Sequence, residues 1–377
     1  MIRNNMNKPK RMILCDFPNN ACNLRCEYCY ITQLPDWARM REKRKYSNET
    51  IIKGLSAKRL GGPCIINLTG TGETMLEPGL VELCEGLVKE GHFIEVVTNL
   101  TLRKVIDKFI NLPSEIQKHI EFKVSFHYME HIQRNTLDSF FENLELVQNS
   151  DISFALELMP YDRLVPEIDN IIKICEEKTG AKCQVTVGRK NESKSEISLL
   201  TSGNKEDFVR NWEVFDSPMF DFKMKLLDVK RKEFCYAGDW TLRVNLYSGE
   251  ACPCYSQPYR YNIFDNIDKP IDFVAVGNHC AMPFCINGHA HMCLGVIPEY
   301  DAPTFEHIRN RTRKDGTEWF SKECKEFFSH KLYESNKEYS LLKKIATNIG
   351  WYFRAAFFAI KYPKKIFRRI KLYFTKF

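Results

Sequence analysis

Short apolar, β-branched runs alternate with helical patterns along the first half of the chain. Six runs have the length and composition of buried strands, and the segments between them carry apolar residues at helical spacing. The predicted strands are Met12–Phe17, Cys64–Thr69, Phe93–Thr98, Glu121–His127, Ser153–Met159 and Lys182–Val187. The predicted helices are Ser47–Leu60, Glu77–Lys89, Leu102–Ile110, Leu137–Gln148 and Pro166–Thr179. This alternation predicts parallel βα units, too few for the eight of a closed barrel.

The second half of the chain has a different pattern. The stretch Asn191–Gly203 is rich in Ser, Glu, Lys and Gly and is predicted to be a linker. A helical segment, Phe208–Leu227, precedes a cysteine-rich stretch, and a basic aromatic segment ends the sequence. Since 377 residues exceed one ordinary core, three parts are expected, with bounds 1–200, 201–300 and 301–377.

Composition indicates a globular protein with thiols kept for metals. Hydrophobic residues make up 44% of the chain and aromatic residues 12%, enough to build cores. The first dozen residues contain no apolar stretch of signal-peptide length, so the 15 cysteines are expected in a reducing cytosol. Most of the scattered ones are expected to be small core residues, such as Cys15, Cys64, Cys84, Cys175 and Cys324.

Three cysteines lie within eight residues after the first predicted strand. Cys22, Cys26 and Cys29 are separated by three and two residues, a spacing that lets three thiolates surround one corner of an iron–sulfur cluster. Because such clusters normally take four cysteine ligands, a local trio leaves one iron with an open position. A structural zinc site without a nearby fourth ligand is the less favoured alternative.

This spacing, with Tyr28 directly before the last cysteine, resembles the radical S-adenosylmethionine (radical SAM) enzymes. The resemblance implies an α/β fold, a partial (β/α)6 barrel, with a [4Fe–4S] cluster on the trio. It also implies that the open iron chelates S-adenosylmethionine. An electron from the cluster then cleaves that molecule to a 5′-deoxyadenosyl radical, which abstracts hydrogen from a substrate.

A second motif follows the second predicted strand. Thr69-Gly70-Thr71-Gly72-Glu73 resembles the Gly-Gly-Glu motif that holds the methionine amine in this family, with Thr71 in place of the first glycine. The resemblance implies cofactor contacts from residues of this loop, of the cysteine loop and of later strand ends. These are Tyr28, Gly70, Gly72, Glu73, Asn99, Ser125 for the ribose and Arg189 for the carboxylate. For each single residue, packing or substrate contact stays open. His127 and Glu157 are candidate substrate contacts.

A second group of cysteines lies between residues 235 and 293. Cys235, Gly249 and Cys254 fit the opening of the SPASM and twitch extensions, which hold auxiliary [4Fe–4S] clusters, but the later cysteine pattern of a full SPASM domain is absent. The resemblance implies one auxiliary cluster, with Cys235, Cys254, Cys280 and Cys285 chosen as ligands. Cys252 and Cys293 are left over, and either could donate a hydrogen atom to a substrate radical.

Zinc is the rival for part of this second group. Cys285, His289, His291 and Cys293 have spacings that a zinc site could use. This reading is less favoured, because it leaves Cys235 and Cys254 without a role.

The C-terminal segment, Leu341–Phe377, holds seven Lys, three Arg and no acid. Since the whole chain carries +7 and this segment +10, the remainder is mildly acidic at −3. Its longest uncharged apolar run, Ala355–Ile360, is far too short to span a membrane. The basic, aromatic pattern favours an amphipathic helix on an anionic membrane surface, hence a peripheral location on the inner face of the membrane. Packing on the enzyme body comes next, and nucleic acid is not expected.

The expected function is that of a radical SAM enzyme supplied with electrons by a donor such as flavodoxin or ferredoxin. Only about a dozen residues precede the first strand, too few for a leader-peptide-binding domain. Together with the tail, this favours a sugar or lipid-linked glycan substrate, modified by dehydrogenation or epimerisation. Maturation of a ribosomally made peptide or protein is the alternative. A non-catalytic iron–sulfur redox sensor is the alternative of another class, which the Gly72-Glu73 loop disfavours.

Overall fold

A nine-stranded sheet forms the centre of the protein. The computed structural model describes residues 8–29, 31–33, 37, 42–191, 197–255, 257 and 261–361. The strands of the main sheet are β1 (Arg11–Phe17), β2 (Cys64–Gly70), β3 (Phe93–Thr98), β4 (Ile120–Phe126), β5 (Ser153–Leu158), β6 (Gln184–Val185), β9 (Thr241–Asn245), β10 (Glu250–Cys252) and β11 (Tyr261–Asn262). A separate hairpin consists of β7 (Arg189–Asn191) and β8 (Ile197–Leu199).

The strand order is β11-β10-β9-β1-β2-β3-β4-β5-β6. Strands β1 to β6 and β9 run parallel, whereas β10 and β11 are antiparallel to their neighbours. Strands β1, β2 and β5 are buried along almost their whole length, as expected for parallel strands covered on both faces. The two edges of this sheet do not pair with each other, so it stays open. The expected α/β fold with a partial barrel is confirmed.

Helices lie between successive strands and after the sheet. Their bounds are α1 (Asn48–Gly54), α2 (Ala57–Leu60), α3 (Leu80–Lys89), α4 (Arg103–Ile110), α5 (Ser114–Gln117), α6 (Tyr128–Arg134), α7 (Leu137–Gln148), α8 (Ile168–Thr179), α9 (Lys205–Trp212), α10 (Pro218–Leu226), α11 (Gly288–His291), α12 (Lys322–Ser329) and α13 (Leu341–Lys361). Short 3₁₀ helices occupy Thr74–Leu76, Asp162–Glu167, Glu213–Phe215 and Leu332–Glu334.

Some predicted helices have different bounds. The single helix expected over Ser47–Leu60 is two helices, because the chain leaves helical geometry at Leu55 and Ser56. Helix α3 begins at Leu80 and not at Glu77, since Gly79 adopts a left-handed conformation with φ of 73° directly before it. The last helix of the series begins at Ile168, after a 3₁₀ turn that contains Pro166.

The predicted linker is only partly irregular. Its first residue and Ile197–Leu199 belong to the β7–β8 hairpin, and residues 192–196 lie outside the described residues. The segment predicted as one helix over Phe208–Leu227 is α9 and α10 separated by a 3₁₀ turn, because Pro218 starts a new helix that Ser217 caps.

The cysteine-rich part of the chain continues the barrel sheet. Strand β9 pairs with β1 from Met12↔Thr241 to Asp16↔Asn245, and the ion pair between Arg243 Nε and Asp16 Oδ2 spans 2.5 Å across these strands. The predicted boundary at residue 200 is therefore crossed by the sheet, and the division into three parts stays a prediction.

The described C-terminal part ends in the long helix α13. It packs on the segments around residues 253–257 and 274–279. Residues 362–377, which hold six of the ten basic residues of the predicted tail, lie outside the described residues. No helix in the described ranges has both the length and the apolar character needed to cross a membrane.

Candidate functional site

The three cysteines of the first group lie in the loop that follows β1, at the carboxyl end of the sheet. Cys26 is buried, and Cys22 and Cys29 are half-buried. Backbone amides point at two of the sulfurs, from Leu24 to Cys22 Sγ at 3.4 Å and from Thr32 to Cys29 Sγ at 3.4 Å. Such donors stabilise thiolates, the form in which cysteine binds a metal.

The three cysteines are close enough to affect one another electrostatically. Desolvation, with smaller effects of Glu130, Cys29 and Cys22, raises the pKa of Cys26 to about 12. Desolvation also raises the pKa of Cys22. Without a positive metal the thiols of Cys22 and Cys26 therefore hold their protons, so a cation that displaces those protons would stabilise the loop.

The loop after β2 clamps the cysteine loop. Thr71 Oγ1 accepts a hydrogen bond from the Asn20 amide at 3.1 Å and also contacts the Asn20 side chain. The Glu73 amide donates to Ala21 O at 2.8 Å. A Cβ at Gly72 would lie 2.0 Å from Ala21 O, so only glycine fits there. The two predicted motifs thus form one packed unit, in which Thr71 itself bonds to the cysteine loop.

Glu73 is a structural capping group in this unit. Its carboxylate accepts hydrogen bonds from Thr98 Oγ1 at 2.6 Å and from the amides of Asn99 at 2.8 Å and Met75 at 2.9 Å. Burial raises its pKa, and these three donors counteract the rise. The side chain of Asn99 reaches Asn23 in the cysteine loop at 2.9 Å. Both predicted cofactor residues therefore lie beside the trio.

An aromatic cluster encloses the other side of the cysteine loop. Tyr28 bonds to His127 Nδ1 through its hydroxyl, and its ring lies 4.8 Å from that of Tyr161. Desolvation, with a smaller effect of His131, lowers the pKa of His127 to about 3. His127 is therefore neutral and positions Tyr28 near the trio. The sequence did not predict the third ring, Tyr161, which follows β5.

Residues 17–173 match the family model described as the Radical SAM superfamily. This part of the chain is a radical SAM domain. Radical SAM enzymes use a [4Fe–4S] cluster and S-adenosylmethionine, and the trio with its soft thiolate donors fits such a cluster. Among the described residues, no three His, Cys, Asp or Glu side chains converge as they would on one metal ion. A four-iron cluster needs no such convergence, since each thiolate binds a different iron.

Several solved structures are similar to this chain. SuiB from Streptococcus suis bound to S-adenosylmethionine is 13% identical over 70% of this chain and 65% of that chain, with a TM-score of 0.47. The enzyme anSMEcpe with bound AdoMet is 20% identical over 68% of this chain and 76% of that chain, with a TM-score of 0.47. The chain spans less than two thirds of SuiB. No curated protein matches the sequence at a significant level.

The second cysteine group is assembled by the segments that surround β9 and β10. Burial raises the pKa of both Cys235 and Cys285. Cys254, Cys235 and Cys280 each contribute to the raised pKa of Cys285. Cys254 and Cys280 likewise contribute to the raised pKa of Cys235. The four cysteines chosen from the sequence thus lie close together, although they come from positions far apart in the chain.

The other candidate residues between 235 and 293 are not part of this group of four cysteines. Cys293 is fully buried, and Arg309 and Lys331 lie close enough to affect its thiol electrostatically. Cys252 is buried in β10, near Arg243. His291 Nδ1 lies 3.1 Å from Thr241 Oγ1. Within the described ranges, the four residues of the zinc alternative do not converge on one ion.

A buried network of charges, which the sequence analysis missed, occupies the barrel interior. Glu95 Oε1 lies 3.2 Å from Arg309 Nε, and both side chains are 1% exposed. Glu157 Oε2 lies 3.2 Å from Lys123 Nζ. Burial, together with Glu95, raises the pKa of Glu121 well above its usual value. The available signal was a charged residue at inward positions of otherwise apolar strands, as in Ile120–Phe126.

Of the remaining predicted residues, Ser125 lies beside this interior network and Arg189 lies beside the second cysteine group. Ser125 of β4 lies opposite Glu157 of β5 in the sheet register. Arg189 donates to Ile286 O at 3.1 Å, directly after Cys285, and not to a group beside the trio. A small cavity next to Cys285 is lined by Val187, Arg189, Lys223, Leu226, Leu227, Phe284, Ile286 and Gly288.

Proposed function

We propose that the chain is a radical SAM enzyme with one auxiliary [4Fe–4S] cluster in a SPASM- or twitch-like segment. The observation that carries the proposal is the pair of cysteine groups, since Cys235, Cys254 and Cys280 all lie within electrostatic reach of the Cys285 thiol. Cys22, Cys26 and Cys29 would bind the first cluster. Cys235, Cys254, Cys280 and Cys285 would bind the second.

When bound, the first cluster and S-adenosylmethionine supply a reducing electron and a 5′-deoxyadenosyl radical. The chain's own residues position and shield them. The Gly70–Glu73 loop fixes the cysteine loop through Thr71 and Gly72. Tyr28, held by His127 and packed on Tyr161, covers its other side and limits access of water. Asn99 is bonded to the cysteine loop through Asn23.

For the substrate we place a peptide or protein side chain ahead of a sugar or lipid-linked glycan. The structure of SuiB has been determined with the precursor peptide SuiA, and that of anSMEcpe with the Kp18Cys peptide. These peptides are ligands of those two proteins. Flavodoxin or ferredoxin as the electron donor stays a prediction.

The test is anaerobic reconstitution with iron and sulfide, followed by dithionite and S-adenosylmethionine. We expect about eight irons per chain and 5′-deoxyadenosine by mass spectrometry. Cys26→Ala would abolish 5′-deoxyadenosine. Cys254→Ala would lower the iron content to about four per chain and keep S-adenosylmethionine cleavage.

Cys252→Ala is the matched control, because Cys252 lies two residues from Cys254 in the same part of the chain. It should keep about eight irons. Equal iron loss in both variants would refute the ligand assignment. Bound clusters without any cleavage of S-adenosylmethionine would favour the redox-sensor alternative.

A further inference from the structure

Helix α13 contacts the protein through a mixed polar and aromatic side and turns an apolar side toward solvent. In an ordinary surface helix the apolar stripe faces the core and the polar residues face water. Here the side that contacts the body contains Asn348, Trp351 and the buried Phe358. The outward apolar side is a surface that the described part of the chain does not cover.

Polar contacts hold the inner side of α13. Asn348 Oδ1 accepts from the Asn278 amide at 3.1 Å, and Asn348 Nδ2 donates to Asn278 Oδ1 at 2.8 Å. Trp351 donates to Gln257 Oε1 at 2.8 Å and stacks on His279 with ring centroids 4.4 Å apart. These directional contacts fix the rotation of the helix about its axis, and therefore fix which side faces outward.

The outward side is a continuous apolar stripe. Its large members recur at helical spacing over five turns, and they are Leu341, Leu342, Ile345, Ile349, Tyr352, Phe353, Phe357 and Ile360. Phe353 is 74% exposed and Ile360 is 79% exposed. Single exposed apolar residues are ordinary, but a contiguous stripe of this length marks an interaction surface.

The charge around the stripe indicates what covers it. Between residues 341 and 377 the sequence has ten basic and no acidic residues. Six of the basic residues belong to residues 364–376, directly after α13. An acid-free basic segment next to an apolar aromatic stripe complements a surface that is anionic outside and apolar within. An anionic lipid bilayer has this layered chemistry, and a protein groove seldom does.

We propose that α13 lies in the plane of an anionic lipid surface, with the apolar stripe inserted among the acyl chains and the basic residues at the headgroups. The packing partners of α13 on the body, Gln257 and residues 277–279, lie next to Cys254 and Cys280 in the chain. The bound surface therefore adjoins the segments that carry the second cysteine group.

The test uses the reconstituted, full-length protein and vesicle flotation. Wild type should float with vesicles that contain phosphatidylglycerol and should float weakly with pure phosphatidylcholine. Phe353→Ser combined with Phe357→Ser should lower the affinity for the anionic vesicles at least tenfold, because two exposed rings no longer enter the bilayer. Formation of 5′-deoxyadenosine in solution should be unchanged.

The matched control is Ile132→Ser combined with Val214→Ser, which removes two exposed apolar side chains that lie in α6 and in the 3₁₀ turn Glu213–Phe215 instead of α13. It should float like wild type, and Leu341→Ser with Ile345→Ser should repeat the loss. Equal binding to neutral vesicles, or an unchanged affinity of both α13 variants, would overturn the proposal. So would a wild-type dimer in sedimentation equilibrium that Phe353→Ser with Phe357→Ser converts to a monomer, since the stripe would then bind a second copy.

Discussion

At the scale of single residues, the contacts around Gly72 explain why the second motif contains a glycine. The sequence indicated a glycine that lets the backbone approach a ligand. In the structure the close approach is to the protein itself, because the carbonyl of Ala21 in the cysteine loop occupies the place of a side chain. The motif was therefore predictable from local sequence, whereas its partner was not, since nothing in the pattern relates residue 72 to residue 21.

Gly72→Ala should displace the cysteine loop. The new methyl group would lie 2.0 Å from Ala21 O, so the backbone must move, at a cost of about 1–3 kcal/mol in the free energy of unfolding. We expect reduced iron binding and slower formation of 5′-deoxyadenosine. Gly203→Ala is the control, since its Cβ would meet only Thr201 Oγ1 at 3.5 Å. Equal iron content in both variants would contradict the clamp.

His92 should make the protein sensitive to acid. Its Nδ1 accepts from the Cys64 amide at 3.0 Å and its Nε2 donates to Leu55 O at 2.7 Å, so both nitrogens are used by the neutral ring. Burial lowers its pKa from 6.5 to about 4. The unfolded chain therefore takes up the proton first. The neutral His92 ring therefore stabilises the folded state fully above pH 6.5. This stabilisation, roughly 3 kcal/mol in the free energy of unfolding, is lost as the pH falls toward 4.

The measurement is urea unfolding at a series of pH values. The slope of the unfolding free energy against pH should be smaller in His92→Gln than in wild type over this range. The exposed His307 provides the control variant His307→Gln, which should keep the wild-type slope. An unchanged slope in His92→Gln would show that other groups cause the acid sensitivity.

At the scale of elements, the pairing of β1 with β9 determines how the two cysteine groups are held together. The first five strands were predicted within one or two residues, because burial on both faces produces continuous apolar runs that local sequence reveals. The pairing of β9 was not predictable in this way, since register between distant strands depends on the tertiary fold. Helix starts differed where caps and left-handed residues override the apolar pattern, as at Gly79.

The Asp16–Arg243 ion pair should stabilise this strand pairing. Its atoms are 2.5 Å apart, and the side chains are 19% and 33% exposed. Asp16→Asn should lower the free energy of unfolding by about 1–2 kcal/mol, as expected for a partly buried pair. Asp107→Asn, in the exposed pair with Arg103, is the control and should cost less than about 0.5 kcal/mol. A double-mutant cycle with Arg243→Met that shows no coupling would contradict the prediction.

At the scale of the whole molecule, the C-terminal part of the chain completes the interior of the barrel. Arg309 lies outside the residues matched by the family model, yet it is 1% exposed and bonds to Glu95 of β3 and to His289 O. The carboxylate of Glu95 in β3 is thus paired with a residue from a distant segment. Charged residues at inward strand positions were a signal for this network, but nothing in the local sequence pointed to Arg309 as the partner of Glu95.

Arg309→Met should destabilise the entire protein. Removing one partner leaves Glu95 buried without its charge partner, which costs about 3–5 kcal/mol. The double variant Glu95→Gln with Arg309→Met should recover part of this loss, because no unpaired charge remains. Lys314→Met, in the exposed pair with Glu176, is the control. Thermal and urea unfolding would measure all three, and a cost for Arg309→Met equal to that of Lys314→Met would contradict the prediction.

The position of β9 beside β1 has a consequence for synthesis on the ribosome. The cysteine loop follows β1 directly, but one neighbour of β1 consists of residues 241–245. Contacts between such distant segments form late, since the intervening chain must first emerge and close a long loop. The first three cysteines therefore leave the ribosome long before their supporting strand is complete. Iron–sulfur insertion at this loop should consequently follow the emergence of β9, so a nascent chain that stops before residue 241 should not retain a cluster.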